Sequence, residues 1–173
     1  MIIRLLAVTI LVLMTLSCNT GHQKKDIQKG PGKKELADLN RYMVRKDRER
    51  IENYIARKDL KMTETQSGLW FMITSEGKGG NFTDRDRVVM EYECTLLDGT
   101  FCYSSKETGP KEVIIGGTRI EPGLDQGLRM LKPGGEALFI IPPFLGWGLP
   151  GDGGKIPSRA VLVYSVKIID NGE

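Results

Sequence analysis

Histidine and cysteine are scarce in this chain of 173 residues. There is one histidine, His22, and there are three cysteines, at positions 18, 94 and 102. Cys18 falls in an apparent export signal, described below, which leaves two cysteines and one histidine for the rest of the chain. These are too few for a tetrahedral zinc site. We therefore expect neither a metal ion nor any other cofactor.

Phosphate-binding loops and nucleic-acid patches are missing as well. The run Gly77-Lys78-Gly79-Gly80 lacks the Lys-Ser/Thr ending of a nucleotide loop and the glycine spacing of a dinucleotide fold. Aromatic residues make up 7% of the chain and do not alternate with basic ones, which argues against nucleic acid as a partner. Positive charge is concentrated in residues 24–61, with thirteen Lys or Arg against seven Asp or Glu. A solvent-exposed helix surface explains this excess of basic residues better than contact with anionic lipid does.

Long apolar runs are absent beyond the first eighteen residues, and that segment has the pattern of an export signal. Arg4 is followed by an apolar stretch from Leu5 to Leu16, which is too short to cross a bilayer comfortably and has the length of a secretory core. The pair Ser17-Cys18 that ends it resembles a bacterial lipoprotein cleavage site, although Thr15 stands where leucine is usual. Ordinary cleavage or no cleavage is the alternative.

The lipoprotein resemblance implies a location in the cell envelope. The mature chain would begin at Cys18 and be held to the membrane by a lipid on that residue. Residues 19–22 carry no acidic cluster of the kind that resembles a surface-export signal in the Bacteroidetes. We therefore expect the periplasmic face of the outer membrane.

Four segments follow from composition: a signal peptide over 1–18, a flexible tether over 19–32, a helical segment over 33–62 and a globular domain over 63–173. Neither Gly nor Pro interrupts residues 33–58, and apolar residues recur there at spacings of three and four, which predicts a helix. A charged run at 45–50 breaks the apolar stripe. Packing of this helix on its own domain is favoured, and dimerisation through it is the alternative.

The globular domain alternates apolar and polar residues, as half-buried strands do. One face of the predicted strand over 87–97 carries Val88, Met90, Tyr92, Cys94 and Leu96. One face of the predicted strand over 160–169 carries Leu162, Tyr164, Val166 and Ile168. Strands are predicted over 69–75, 87–97, 100–104, 111–115, 136–142 and 160–169, with a short helix near 121–131. The pattern predicts an α+β fold in which a curved antiparallel sheet wraps around the short helix.

Several short motifs occur in a fixed order between residues 68 and 170. They are Leu97-Asp98-Gly99-Thr100, Ile120-Glu121-Pro122-Gly123-Leu124, Lys132-Pro133-Gly134-Gly135, Ile141-Pro142-Pro143, Trp147-Gly148 and Ile156-Pro157. Taken together, they closely resemble the FKBP-type peptidyl-prolyl isomerases. The stem at residues 60–69 further resembles lipoprotein isomerases associated with gliding motility in the Bacteroidetes.

The resemblance implies a hollow for a prolyl ring. Its catalytic positions fall on Tyr92, Ile120, Glu121, Trp147 and Tyr164, and its substrate-binding positions fall on Phe101, Cys102, Tyr103, Leu124 and Ile156. At Glu121 the family uses the backbone N–H more than the side chain. An indole N–H at Trp147 replaces the tyrosine hydroxyl that donates to ligands in typical members.

Residues 101–105 depart from the family, which usually has Phe-Asp-Ser-Ser after one apolar residue. A gapless match puts Cys102 at the phenylalanine and Tyr103 at the aspartate, whereas a two-residue hairpin would turn Phe101 and Tyr103 inward. We favour the gapless match. Lys111 also replaces an aromatic residue of the rim. Cys94 is expected to be a core residue, and a disulfide with Cys102 is the less favoured alternative.

The family resemblance implies an isomerase that acts on X-Pro bonds of exported polypeptides, without metal or cofactor. Because the departures remove a phenylalanine and a polar group, weak activity is expected. The alternatives are a non-catalytic peptide-binding chaperone, a component of an envelope machine on the same scaffold, and a purely structural lipoprotein.

Overall fold

The computed structural model describes residues 30–169, which form helices around one antiparallel sheet of seven strands. The helices are α1 (Lys33–Lys58), α2 (Ser105–Thr108) and α3 (Pro122–Leu128), with a 3-10 turn at Pro143–Leu145. The strands are β1 (Thr63–Glu64), β2 (Trp70–Ser75), β3 (Arg87–Leu96), β4 (Phe101–Ser104), β5 (Lys111–Ile114), β6 (Glu136–Ile141) and β7 (Leu162–Ile168).

The long strand β3 organises the sheet. Strand order is β1-β2-β6-β7-β3-β4, and β5 also pairs with β3. One edge of β3 pairs along its length with β7, with Tyr92 opposite Val166 and Cys94 opposite Tyr164. Its other edge takes β5 near the start of β3 and β4 near its end. The predicted antiparallel sheet is confirmed.

One face of the sheet closes around α3, as predicted. Leu124 and Leu128 of this helix are buried against residues of β3, β6 and β7. Two helix glycines permit this close approach. A Cβ at Gly127 would lie 2.8 Å from the Phe139 ring, and one at Gly123 would lie 2.6 Å from Ile141. Any larger residue would push the helix away from the strands.

The opposite face of the sheet is covered by α1. Ile51 is buried with Ile140, Val161 and Val163, in a second apolar cluster separate from the core around α3. A part-buried ion pair supports this packing, with Arg159 Nη2 donating to Asp47 Oδ2 at 2.6 Å. The expectation that the helix packs on its own domain is confirmed.

The predicted helix over 33–58 and the six predicted strands are present, with ends that differ by at most two residues. Helix α3 is shorter than expected, because Leu128 is followed by a turn that leads into Lys132-Pro133. The predicted signal peptide, lipidation at Cys18 and most of the tether lie outside the described residues. Within residues 30–169, no helix is both long and apolar enough to cross a membrane.

Candidate active site

Two tyrosines from neighbouring strands form one wall of the site. Tyr92 of β3 and Tyr164 of β7 have ring centroids 6.0 Å apart, with their planes tilted by 32°. Both side chains point to the α3 side of the sheet because β3 and β7 alternate in register. Tyr164 is 2% exposed, whereas Tyr92 is only partly buried.

Three apolar residues from different segments lie beside these rings in the same core cluster. Leu124 comes from α3, Ile120 from the turn before it, and Ile156 from the loop that leads to β7. Leu124 and Ile156 are buried, and Ile120 is half-buried. The structure thus brings together the five apolar and aromatic residues expected to frame the hollow. Of these five, Leu124, Ile156 and Tyr164 are buried, and Tyr92 and Ile120 remain partly exposed.

The Glu121 side chain is the polar centre of the site. Its Oε1 accepts a hydrogen bond from the Tyr164 hydroxyl at 2.6 Å and another from Trp147 Nε1 at 3.0 Å. The residue is only 4% exposed. The carboxylate therefore links β7 to the loop after β6, a role the family resemblance did not indicate. The Trp147 N–H that was expected to serve a ligand donates to this carboxylate instead.

Burial and this carboxylate together alter the acidity of Tyr164. Burial first, and the negative charge of Glu121 second, raise the pKa of the phenol far above its ordinary value. At neutral pH Tyr164 is therefore a protonated hydrogen-bond donor. The Tyr164 hydroxyl and Glu121 Oε1 thus form a hydrogen-bonded donor and acceptor pair in the site.

The second carboxylate oxygen of Glu121 has a different environment. Oε2 is buried and makes no hydrogen bond within the described residues. Lys111 Nζ lies 3.9 Å from it, too far for a hydrogen bond. The same ammonium group lies 5.7 Å from the centre of the Tyr92 ring, at cation–π distance. Lys111 therefore covers the rim where the family often has an aromatic residue.

The turn after β3 decides between the two alignments of residues 101–103. Thr95 pairs with Phe101 and Cys94 with Tyr103, so a bulge places Cys102 inside, where it is fully buried. Leu96 N–H donates to Thr100 across a turn longer than two residues. The buried Cys102 agrees with the gapless match, and the inward Phe101 expected from the simple hairpin is wrong. Phe101 is instead 40% exposed, with the Lys155 ammonium 4.9 Å from its ring centre.

Tyr103 holds a loop in place. Its hydroxyl donates to Asp152 Oδ2 at 2.5 Å and accepts from Lys155 N–H at 3.1 Å. Asp152 Oδ1 also accepts from the backbone N–H groups of Gly154 and Ile156. The sequence analysis missed Asp152. Its position after Gly151 and before Gly153-Gly154 marks a turn, but no local signal pairs it with a tyrosine 49 residues earlier.

Cys94 and Cys102 are both free thiols in the structure. Burial raises the pKa of Cys94 to about 12 and also raises that of Cys102. Neither thiol therefore has the character of a nucleophile at neutral pH. Within the described residues, no group of His, Cys, Asp and Glu could hold a metal ion.

These features define an α+β domain in which a curved sheet and one short helix enclose an apolar core, with Tyr92 and Tyr164 side by side in it. The family model for FKBP-type peptidyl-prolyl cis-trans isomerase matches residues 79–169, and the chain belongs to this family.

Curated relatives support the same assignment. A probable FKBP-type isomerase FkpA from Neisseria meningitidis serogroup B is 43% identical over 108 residues, which is 62% of this chain and 39% of that protein. FkpA from Escherichia coli K12 is 35% identical over 126 residues, which is 72% of this chain and 45% of that protein. The chain thus spans less than half the length of these relatives.

Solved structures agree with the fold. The crystal structure of E. coli FkpA superposes with a TM-score of 0.64 at 26% identity and covers 82% of this chain and 74% of its own. The structure of AtFKBP13 gives a TM-score of 0.58 at 28% identity and covers 63% of this chain and 97% of its own.

Proposed function

We propose that this protein is a peptidyl-prolyl cis-trans isomerase that acts on X-Pro bonds of exported polypeptides. The observation that carries the proposal is that Tyr92, Ile120, Leu124, Ile156 and Tyr164 belong to one core cluster, in which the two tyrosine rings are 6.0 Å apart. These residues come from five separate segments and match the positions that the family resemblance assigns to the binding of a prolyl ring.

The reaction suits a site without an acid, a base or a metal. Resonance gives the peptide bond a rotation barrier of about 18–20 kcal/mol. X-Pro bonds populate both isomers but exchange in tens of seconds or longer. A site accelerates exchange if it binds the twisted amide more tightly than the planar one. Apolar walls around the ring, with fixed polar groups at their edge, supply that difference by orienting the chain in a dry environment.

One observation favours a second candidate, a non-catalytic module that binds extended peptides. Leu124, Ile156 and Tyr164 are buried from solvent, and the Trp147 N–H donates to Glu121. Tyr103 replaces the family aspartate and is directed to Asp152 rather than to the hollow. A lost contact that raises the activation free energy by about 1.4 kcal/mol lowers the rate tenfold. A scaffold with several such losses can retain binding while losing turnover.

A turnover assay separates the two candidates. Exchange between cis and trans forms of a short X-Pro peptide is followed by NMR with the purified protein. The isomerase proposal expects exchange above the spontaneous rate, and a large loss in Tyr92→Ala, which removes one partly exposed aromatic wall. Glu136→Gln, which removes an exposed carboxylate paired with Lys167, serves as the control and should match the unmodified chain. Peptide binding with only spontaneous exchange would favour the binding module.

We propose further that the protein acts in the cell envelope, anchored by lipid at Cys18 on the periplasmic face of the outer membrane. The support is the Ser17-Cys18 pattern after a short apolar segment. Radiolabelled fatty acid should label the chain and fail to label Cys18→Ser, which should leave the membrane fraction. Equal membrane retention of both chains would refute the anchor. An association with gliding machinery rests on the resemblance of residues 60–69 alone.

A further inference from the structure

A buried carboxylate with one oxygen lacking a hydrogen bond is unusual in a folded protein. Buried charges are stabilised by pairing and hydrogen bonding, and a lone pair left empty is costly. Glu121 satisfies Oε1 twice, through Tyr164 and Trp147, and leaves Oε2 without a donor among residues 30–169. The two oxygens of one buried carboxylate thus differ: Oε1 accepts two hydrogen bonds, and Oε2 accepts none from the described residues.

Lys111 does not satisfy this oxygen. Its ammonium lies 3.9 Å from Oε2, outside hydrogen-bond range, and its side chain is 30% exposed. A long, part-exposed lysine side chain moves easily, so it can cover the oxygen and also withdraw. Its charge offsets part of the cost of the buried carboxylate without occupying the acceptor position.

Oε2 lies close to the aromatic residues that are expected to contact the prolyl ring. The partners of Oε1 are Tyr164, one wall of the hollow, and Trp147, on the loop at its rim. On the other side, Lys111 lies over Tyr92, the second aromatic wall. The unsatisfied oxygen therefore lies among the groups that frame the expected position of the prolyl ring.

We propose that Glu121 Oε2 accepts a backbone N–H of the bound peptide from a residue next to the proline, and that the peptide displaces the Lys111 side chain. This inference rests on the proposed function of the hollow. A neutral amide donor fits best, since a cationic side chain would meet Lys111 and an acidic one would meet the carboxylate. Proline itself has no N–H, so the donor must come from a flanking residue.

Ester analogues of the peptide test this contact directly. One analogue replaces the amide N–H of the residue before proline by oxygen, and a second replaces that of the residue after it. Each is compared with the parent amide peptide by calorimetric binding and by exchange NMR. For the unmodified protein we expect one of the two esters to bind about tenfold more weakly, because it lacks a hydrogen bond to a buried charge.

The amide-to-ester ratio in variants distinguishes a direct contact from a structural role. Glu121→Met keeps a side chain of similar length without an acceptor, and its ratio should fall to within about twofold of one. A general loss of stability in this variant would weaken all three peptides alike and leave the ratio unchanged. Glu136→Gln, the control carboxylate, should keep the ratio of the unmodified protein.

The outcomes separate this inference from the proposed function. Exchange catalysis with equal amide and ester affinities in the unmodified protein would overturn the role of Glu121 and leave the isomerase proposal intact. An affinity ratio that depends on Glu121, with only spontaneous exchange, would support the contact and overturn the isomerase. No binding of any peptide and no catalysis would overturn both.

Discussion

Glu121 is a buried carboxylate, and its burial lowers the stability of the fold unless hydrogen-bond donors such as Tyr164 compensate for it. A carboxylate taken out of water is tolerated when donors replace its hydration, and the Tyr164 hydroxyl at 2.6 Å is the shorter of its two hydrogen bonds. The remaining donor is Trp147, whose side chain is 41% exposed and less fixed. The phenol of Tyr164 is therefore expected to matter for folding as well as for the shape of the hollow.

Removing that hydroxyl should destabilise the protein. In Tyr164→Phe, Glu121 loses a buried donor, and we expect the free energy of unfolding to fall by about 2 kcal/mol. Urea denaturation measures the change. Tyr92→Phe is the matched control because the Tyr92 hydroxyl makes no hydrogen bond within residues 30–169, and it should change stability by less than about 0.5 kcal/mol. Equal effects of the two variants would show that the Glu121–Tyr164 bond contributes no stability.

The two buried thiols give a second prediction at this scale. Because burial raises the pKa of Cys94 to about 12 and raises that of Cys102, both should resist iodoacetamide at pH 8 in the folded chain. A single tryptic peptide, residues 88–106, contains both cysteines. Its mass should show no label before unfolding and two labels after unfolding without reductant. A mass lower by two hydrogens, with no label after unfolding, would reveal a disulfide instead.

The sequence predicted the positions of some side chains in the site and not the contacts of others. Strand alternation placed Tyr92 and Tyr164 on the face toward α3, and the family resemblance placed Cys102 inside. The side-chain role of Glu121 could not be predicted, because its partners lie 26 and 43 residues further along the chain. Contacts of that kind depend on how the loop after β6 folds back, which no local pattern encodes.

At the scale of elements, the loop between the 3-10 turn and β7 is held to β4 by Tyr103 and Asp152. Burial alone would raise the pKa of the Asp152 carboxyl. Hydrogen bonds from the Tyr103 hydroxyl and from the backbone N–H groups of Gly154 and Ile156 outweigh it, so the pKa lies below its ordinary value. Ile156, a wall of the hollow, is carried by this loop, so the carboxylate also positions the site.

This pKa shift predicts a pH-dependent contribution to stability. A folded-state pKa below the unfolded value of about 3.9 stabilises the protein above that pH, and the contribution is lost as the pH falls through the folded pKa. Asp152→Asn should therefore lower stability by about 1 kcal/mol at pH 7 and by progressively less below about pH 4. Denaturation midpoints of both chains across this range check it. A difference that stays constant down to pH 3 would contradict the assignment.

The elements with a clear periodicity were predictable, whereas helix α2 and strand β1 were missed. Helix α1 has no internal Gly or Pro, and β3 and β7 alternate clearly, so their limits followed from the sequence. Helix α2 was missed, although Ser104 caps it by accepting from Lys106 N–H and Glu107 follows three residues later, which is the pattern of a capping box. The two-residue β1 carries too few residues for any periodicity.

At the scale of the whole molecule, the sheet has a helix on each face. The α3 face carries the candidate site within one apolar cluster, and the α1 face carries a separate cluster around Ile51. The sequence predicted helix α1 and its packing on the domain, but the interrupted apolar stripe did not show which strands would receive it. That depended on residues of β6 and β7 on the α1 face, such as Ile140 and Val163, whose neighbours along each strand belong to the other core.

Two separate cores predict that stability and activity can be changed independently. Ile51 is fully buried, so Ile51→Ala should lower the free energy of unfolding by about 2–4 kcal/mol by leaving a cavity under α1. Leu39, on the same helix, is 54% exposed, and Leu39→Ala should cost less than about 0.5 kcal/mol. Urea denaturation compares the two variants.

Peptide binding should not follow the same order. Because the hollow lies on the other face of the sheet, Ile51→Ala should bind an X-Pro peptide as tightly as the unmodified chain wherever both are folded, which calorimetry measures. Equal stability of Ile51→Ala and Leu39→Ala would show that α1 does not pack on the sheet. A large loss of affinity in folded Ile51→Ala would show instead that the two faces are coupled through strands β6 and β7, since those strands contribute side chains to both cores.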